Sequence, residues 1–393
     1  MPHVPPLSHS KPKGEFSLDI KDDDDDQGNE INIKLTPHDD LDELLNQPIG
    51  LPARKNISSY PSNILKETQD CREAIDLVIT HISHQNIDIS FQNLVQIDVV
   101  IKDKEKRDFL IPHIDNLLNT CAIKLNIAHN VYLNSHDCQV DQVFRLFKGL
   151  FSVIVDIFEN DLGKYAQVKS FKDVIYNLLN VMIDSKVLNF AEGDQLIKAI
   201  NLVTLKLLDL SDQTTSYSAL VRLLTEGCNQ ETQTNKYLEM VMKCIWRLIR
   251  KLSAPSPASD DLVQQIDTSK VLAEIHTFLK TYPPNTWQTR SNDLPLRTAK
   301  TLVFHLAKAK QSKILDDLKL IDAPEDSELK AYINKLFKNG FQLSHNNSIN
   351  STSFASKMGG ANQSPEQPAP MVRVLSDQLS AIVKKIGISE QSK

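Results

Sequence analysis

Residues 237–252 read YLEMVMKCIWRLIRKL, with apolar side chains at Leu238, Val241, Met242, Ile245, Leu248, Ile249 and Leu252. Steps of three and four lay these residues along one side of an α-helix. Across the helix Lys243, Arg247 and Arg250 share a basic face. The same stripe recurs in both directions, from Ile64 to Phe337, broken only by short polar stretches and almost free of glycine. No strand-like alternation lasts more than a few residues. The chain is therefore expected to be all-α.

The breaks group the helices in pairs. The periodicity predicts Ile64–His84 with Ile89–Ile101, Arg107–His129 with Val140–Tyr165, and Val168–Ile183 with Asp194–Leu210. Further on come Ser216–Thr225 with Lys236–Leu252, Val271–Tyr282 with Leu296–Lys310, and a shorter Ile314–Ile321 with Ser327–Phe337. Gly193 and Asp194 mark one helix start, and Pro283 and Pro284 close another. Pair starts near 64, 107, 168, 216 and 271 recur at a spacing somewhat longer than that of HEAT-type repeats. The expected architecture is an α-solenoid of about six HEAT-like antiparallel helix pairs over residues 63–340.

The flanks have a different composition. Residues 1–62 hold 12 acidic against 6 basic side chains, which accounts for the whole net charge of −6. With the run Asp22–Asp26 and several prolines they read as a disordered acidic tail carrying two apolar islands, Glu15–Ile20 and Asp39–Pro52. Residues 341–370 read as a disordered linker, and 371–393 as the start of an amphipathic helical segment. Its stripe is Leu375, Leu379, Ile382, Val383 and Ile386. One such helix cannot bury its apolar face alone, which leads us to expect a piece of a longer protein. Within the neutral remainder, residues 236–313 hold 13 basic and 6 acidic side chains, a local excess of seven positive charges.

The sequence offers little for chemistry. Phosphate-loop, dinucleotide and nucleophile-elbow motifs are missing from it. His81 and His84 stand at metal-sharing spacing without an acidic partner, and packing is the simpler reading. The five cysteines have no paired spacing and read as reduced packing residues. The most apolar run, Phe144–Phe158, contains Arg145, Lys148 and Asp156 and is too short to span a bilayer. We therefore expect a binding protein with no catalytic residue, cofactor or metal, and neither nucleic acid nor membrane as partner. Architecture alone leaves open a generic repeat scaffold that holds a helical peptide.

Three stretches carry a more specific resemblance: Tyr237–Leu252, Leu294–Leu318 (LPLRTAKTLVFHLAKAKQSKILDDL) and Ser327–Lys338 (SELKAYINKLFK). With EFSLDI, the LDELL island, NLVQIDVV and KKIG in the same order, the chain resembles the C-terminal region of the Minispindles/ch-TOG family of microtubule polymerases. The resemblance runs from about Glu15 to Gly387. It implies a last, cryptic TOG domain followed by the start of the segment that engages TACC-family coiled coils, here the helix with Leu375 to Ile386. It also implies a place in the cytoplasm and cytoskeleton, at centrosomes, spindle poles and microtubule plus ends.

TOG domains of that family hold tubulin through the turns inside each helix pair, using an aromatic in the first and basic residues in later ones. Here the first turn, His84–Asp88, has neither, the third offers Lys186 and the fourth no cation. The fifth carries Trp287 and Arg290, with Arg297 and Lys300 just beyond. These four are the candidate contacts with tubulin or another partner, and tubulin binding is expected to be weak or absent.

Overall fold

A computed structural model of the protein describes residues 65–341, apart from 66–67, 134, 136–138, 230–234, 254–262, 289 and 291. The tail at 1–62, the linker beyond Phe341 and the terminal segment with Leu375, Leu379, Ile382, Val383 and Ile386 lie outside these residues. All regular structure among the described residues is helical. The main helices are α1 (Thr68–Ile82), α2 (Ile87–Lys102), α3 (Ile114–Ile127), α4 (Val140–Glu159), α5 (Val168–Ile183) and α6 (Gly193–Leu210). They continue as α7 (Gln213–Asn229), α8 (Asn235–Ser253), α9 (Thr268–Thr281), α10 (Leu294–Lys310), α11 (Lys313–Lys319) and α12 (Glu328–Lys338).

The helices stack in two rows. In one, α1, α3, α5, α7 and α9 pack successively on one another; in the other, α2 lies on α4, α4 on α6, and α8 on α10. Between α6 and α8 the second row is bridged by ion pairs, with Asp209 at the end of α6 holding both Arg247 (2.8 Å) and Lys251 (2.7 Å) of α8. One continuous apolar core runs from Leu65 to Leu336. α4 shows why the stack forms. Its Phe144, Phe147, Leu150, Phe151, Ile154 and Phe158 are all buried, each stabilising the fold by about 1.5–3 kcal/mol of transfer free energy before conformational entropy is subtracted.

The first five expected pairs are present, whereas α11 and α12, expected as a sixth, each pack on α9 and α10; the local differences have physical causes. The stretch expected as one helix over Arg107–His129 begins as a 3-10 turn, Arg107–His113, and becomes α-helical only at Ile114. Pro112 lies in that turn; it has no N–H to donate and its ring crowds the preceding turn of an α-helix. α7 runs four residues past the expected Thr225, through Gly227. A Cβ on Gly227 would stand 2.7 Å from a methyl of Leu238, so the glycine marks a close crossing of α7 and α8 and not a helix end. In α8, Tyr237, Met240 and Cys244 join the buried side, whereas Leu238 of the expected stripe is only half-buried.

Gly193, the first residue of α6, has a different constraint. A Cβ there would lie 1.9 Å from the carbonyl oxygen of Val187, a backbone atom that no side-chain rotation can move. Gly193→Ala should therefore displace the Ser185–Asn189 turn and cost about 1–3 kcal/mol in urea unfolding. An alanine variant of unchanged midpoint would contradict this packing.

Candidate protein-binding interface

The turns inside the pairs form one edge of the stack, and a polar network ties successive turns together. In the first turn Asn86 caps α2 by accepting from the amides of Asp88 (2.8 Å) and Ile89 (3.3 Å). The Asn86 amide in turn donates to His84 Nδ1 at 3.0 Å. Lys124, at the end of α3, is fully buried and reaches this turn from beneath. Its Nζ donates to the His84 carbonyl (2.6 Å) and to the Tyr132 hydroxyl (2.9 Å), and that hydroxyl donates to the Gln85 carbonyl (2.8 Å). The ammonium also sits 4.9 Å from the centre of the Tyr132 ring. Burial pulls its pKa down to about 8.

Sequence reading missed Lys124, although the signal was present. It follows Leu117 and Cys121 at helical spacing and so occupies an apolar position. The second turn is joined to the third by His129 Nε2 and Asp184 Oδ2, 2.8 Å apart. Burial raises the Asp184 pKa, but the Lys186 amide and the His129 ring outweigh it and hold the carboxyl below its usual range. In these first turns the polar groups are largely engaged with one another. Lys186 is exposed at the rim of the third.

The fifth turn holds the candidate residues. After Tyr282 a one-turn helix, Pro284–Trp287, brings the indole back over α9. Trp287 is only 6% exposed, donates from Nε1 to the Tyr282 carbonyl (3.0 Å) and packs against Phe278 and Tyr282. Its indole is therefore committed to the fold. Tyr282 pins the turn to α7 by donating its hydroxyl hydrogen to the Thr225 carbonyl at 3.0 Å. The exposed Arg290 covers this aromatic layer, 4.9 Å from the Tyr282 ring centre and 5.1 Å from that of Trp287. It also donates to the Cys228 carbonyl at 3.2 Å.

Arg297 pairs with Asp293 (2.8 Å), and Lys300 with Glu328 (2.9 Å) above the Tyr332 ring. The four residues thus fan out from the end of α7 to the start of α12 and do not meet at one point. Burial pushes the thiols of Cys121, Cys228 and Cys244 up to about 12, so they are protonated at neutral pH and serve packing. No described helix is long and apolar enough to cross a membrane.

The sequence is similar to that of several known proteins. The chain is 36% identical to Protein mini spindles of Drosophila melanogaster over 195 residues, 49% of the chain and 9% of that protein. It is 25% identical to Protein MOR1 of Arabidopsis thaliana over 348 residues, 82% of the chain and 17% of the relative. The chain is homologous to a partial region of the mini spindles and MOR1 family. Centrosomal protein 224 of Dictyostelium discoideum is 23% identical over 178 residues, 44% of the chain and 8% of that protein. No family model matches the chain. It spans less than a fifth of the length of these curated relatives, at 9%, 17% and 8%.

Proposed function

We propose that the chain is a non-catalytic, protein-binding module of a microtubule polymerase, acting in the organisation of microtubules and the mitotic spindle. The observation that carries this reading is the 36% identity to mini spindles over 195 residues, joined to a helix-pair stack whose ordered edge is made of turns. Its principal partner is a TACC-type coiled coil, engaged through the segment with Leu375, Leu379, Ile382, Val383 and Ile386. Contact with tubulin is weak and falls to the fifth turn. The bias is supported by the engagement of the first turns' polar groups and by the exposure of Arg290. The site of action is the cytoskeleton, at centrosomes and spindle poles.

The tubulin component is tested by size-exclusion co-migration with αβ-tubulin at low salt. Partial co-migration is expected, falling by about tenfold or more in apparent affinity for Arg290→Glu combined with Arg297→Glu. Arg290→Gln, which keeps a donor for the Cys228 carbonyl, separates charge from folding. A complex that survives both reversals would remove the fifth turn from the reading.

A further inference from the structure

The basic excess seen in residues 236–313 does not gather on the turn edge. α8 buries Tyr237, Met240, Val241, Cys244, Ile245 and Leu248, and its outward side carries Lys236, Glu239, Lys243, Arg247 and Arg250. Helical spacing puts these on one stripe, four cations and one carboxylate, with the half-buried Trp246 among them. Lys243 pairs with Glu239 at 2.7 Å, while Arg247 shares the single carboxylate of Asp209 with Lys251. Arg250 is exposed and has no carboxylate partner among the described residues.

α10 lies alongside and extends the stripe. Ser253 Oγ and His305 Nδ1, 2.7 Å apart, join the two helices, and Lys308 stands exposed one turn beyond. Burial and the neighbouring Lys308 both lower the His305 pKa, so the positive charge of this face comes from its lysines and arginines. The surface is a basic stripe around an aromatic, and it is separate from the turns discussed above.

We propose that the acidic island Asp39–Leu45 of the same chain docks on this outward face of α8 and α10. Its sequence DDLDELL alternates four carboxylates with Leu41, Leu44 and Leu45, the complement of cations set around Trp246. The region before residue 63 holds 12 acidic against 6 basic side chains, whereas residues 236–313 hold 13 basic against 6 acidic, so the two fields attract. Twenty residues separate Leu45 from Leu65 and span at most about 70 Å when extended. Leu65 stands just before α1, and one step across to α2 followed by three along the second row to α8, on the order of 10 Å each, fall within that reach. The tether gives an effective concentration on the order of millimolar, which favours the chain's own island over a free acidic peptide. This inference stands apart from the proposed tubulin and TACC contacts.

Zero-length carbodiimide coupling of the full chain tests it, because that reagent joins a carboxylate to an amine only where the two touch. Peptide mapping should find amide links from Asp39, Asp40, Asp42 or Glu43 to Lys243, Lys251 or Lys308. In a mixture of light and nitrogen-15-labelled chains the links should join residues of one chain. They should fall by about tenfold in about 0.5 M salt and likewise with Arg250→Glu, a substitution at an exposed position. Links spread equally to Lys104 and Lys198, or no links to α8 and α10, would overturn the proposal. Links between chains would overturn it in favour of a second copy as occupant.

Discussion

Trp287→Ala should lower the unfolding free energy by about 3–5 kcal/mol, the range for truncating a buried aromatic. The substitution removes a side chain that is 6% exposed, opens a cavity against Phe278 and leaves the Tyr282 carbonyl without its indole donor. It also takes away one of the two rings under Arg290. Urea unfolding measured by the fluorescence of Trp246, the remaining tryptophan, gives the change directly. Trp287→Phe should recover much of the loss, because it restores apolar volume without the N–H. A tryptophan serving mainly as an exposed partner contact would give an alanine variant of nearly unchanged stability.

Lys124→Met should leave stability near pH 7 within about 1 kcal/mol of the parent while removing a pH dependence. The methionine fills similar volume, the Tyr132 hydroxyl keeps the Gln85 carbonyl, and Ser90 still donates to the His84 carbonyl at 2.8 Å. Burial lowers the Lys124 pKa from 10.5 to about 8. Between those values the unfolded chain holds a proton that the folded chain has lost, so folding strengthens as pH rises. The contribution is full above the unfolded value and is lost as pH falls through about 8. Over the window the parent should gain about 3 kcal/mol relative to the variant, at 1.36 kcal/mol per pKa unit. Parallel stability curves for the two proteins from pH 7 to 10.5 would contradict the buried ammonium.

Helix periodicity made the row of pairs legible, most completely at Val168–Ile183, where both ends agree with the expectation. There Phe171, Val174, Ile175, Leu178, Leu179 and Met182 form an uninterrupted buried stripe, so pattern and packing coincide. Elsewhere local chemistry was hidden in a good apolar pattern. Pro112 stands among Phe109, Leu110, Ile111 and Ile114, which read as helix although the proline imposes a tighter turn. Gly227 read as a break because the sequence does not show that Leu238 occupies the space a side chain would need.

The candidate residues were legible in composition more than in position. Trp287 and Arg290 announce themselves as an aromatic and a cation on a turn, but exposure separates their roles: the indole closes the core and the guanidinium covers it. The apolar spacing of Lys124 signals its burial, although a single lysine in a helix ordinarily faces solvent, but it does not show what the ammonium meets. Its partners, the carbonyl of His84 and the hydroxyl of Tyr132, are 40 and 8 residues away in sequence. Local pattern carries no information about such a meeting.

The most direct test of the central claim is where the chain goes in a dividing cell. Residues 1–393, expressed with a fluorescent tag, should concentrate at spindle poles, and deletion of residues 63–340 together with 371–393 should abolish or strongly reduce that enrichment. A uniform cytoplasmic signal for the whole chain, or enrichment untouched by the deletion, would contradict a spindle-directed binding module built on this helix-pair stack.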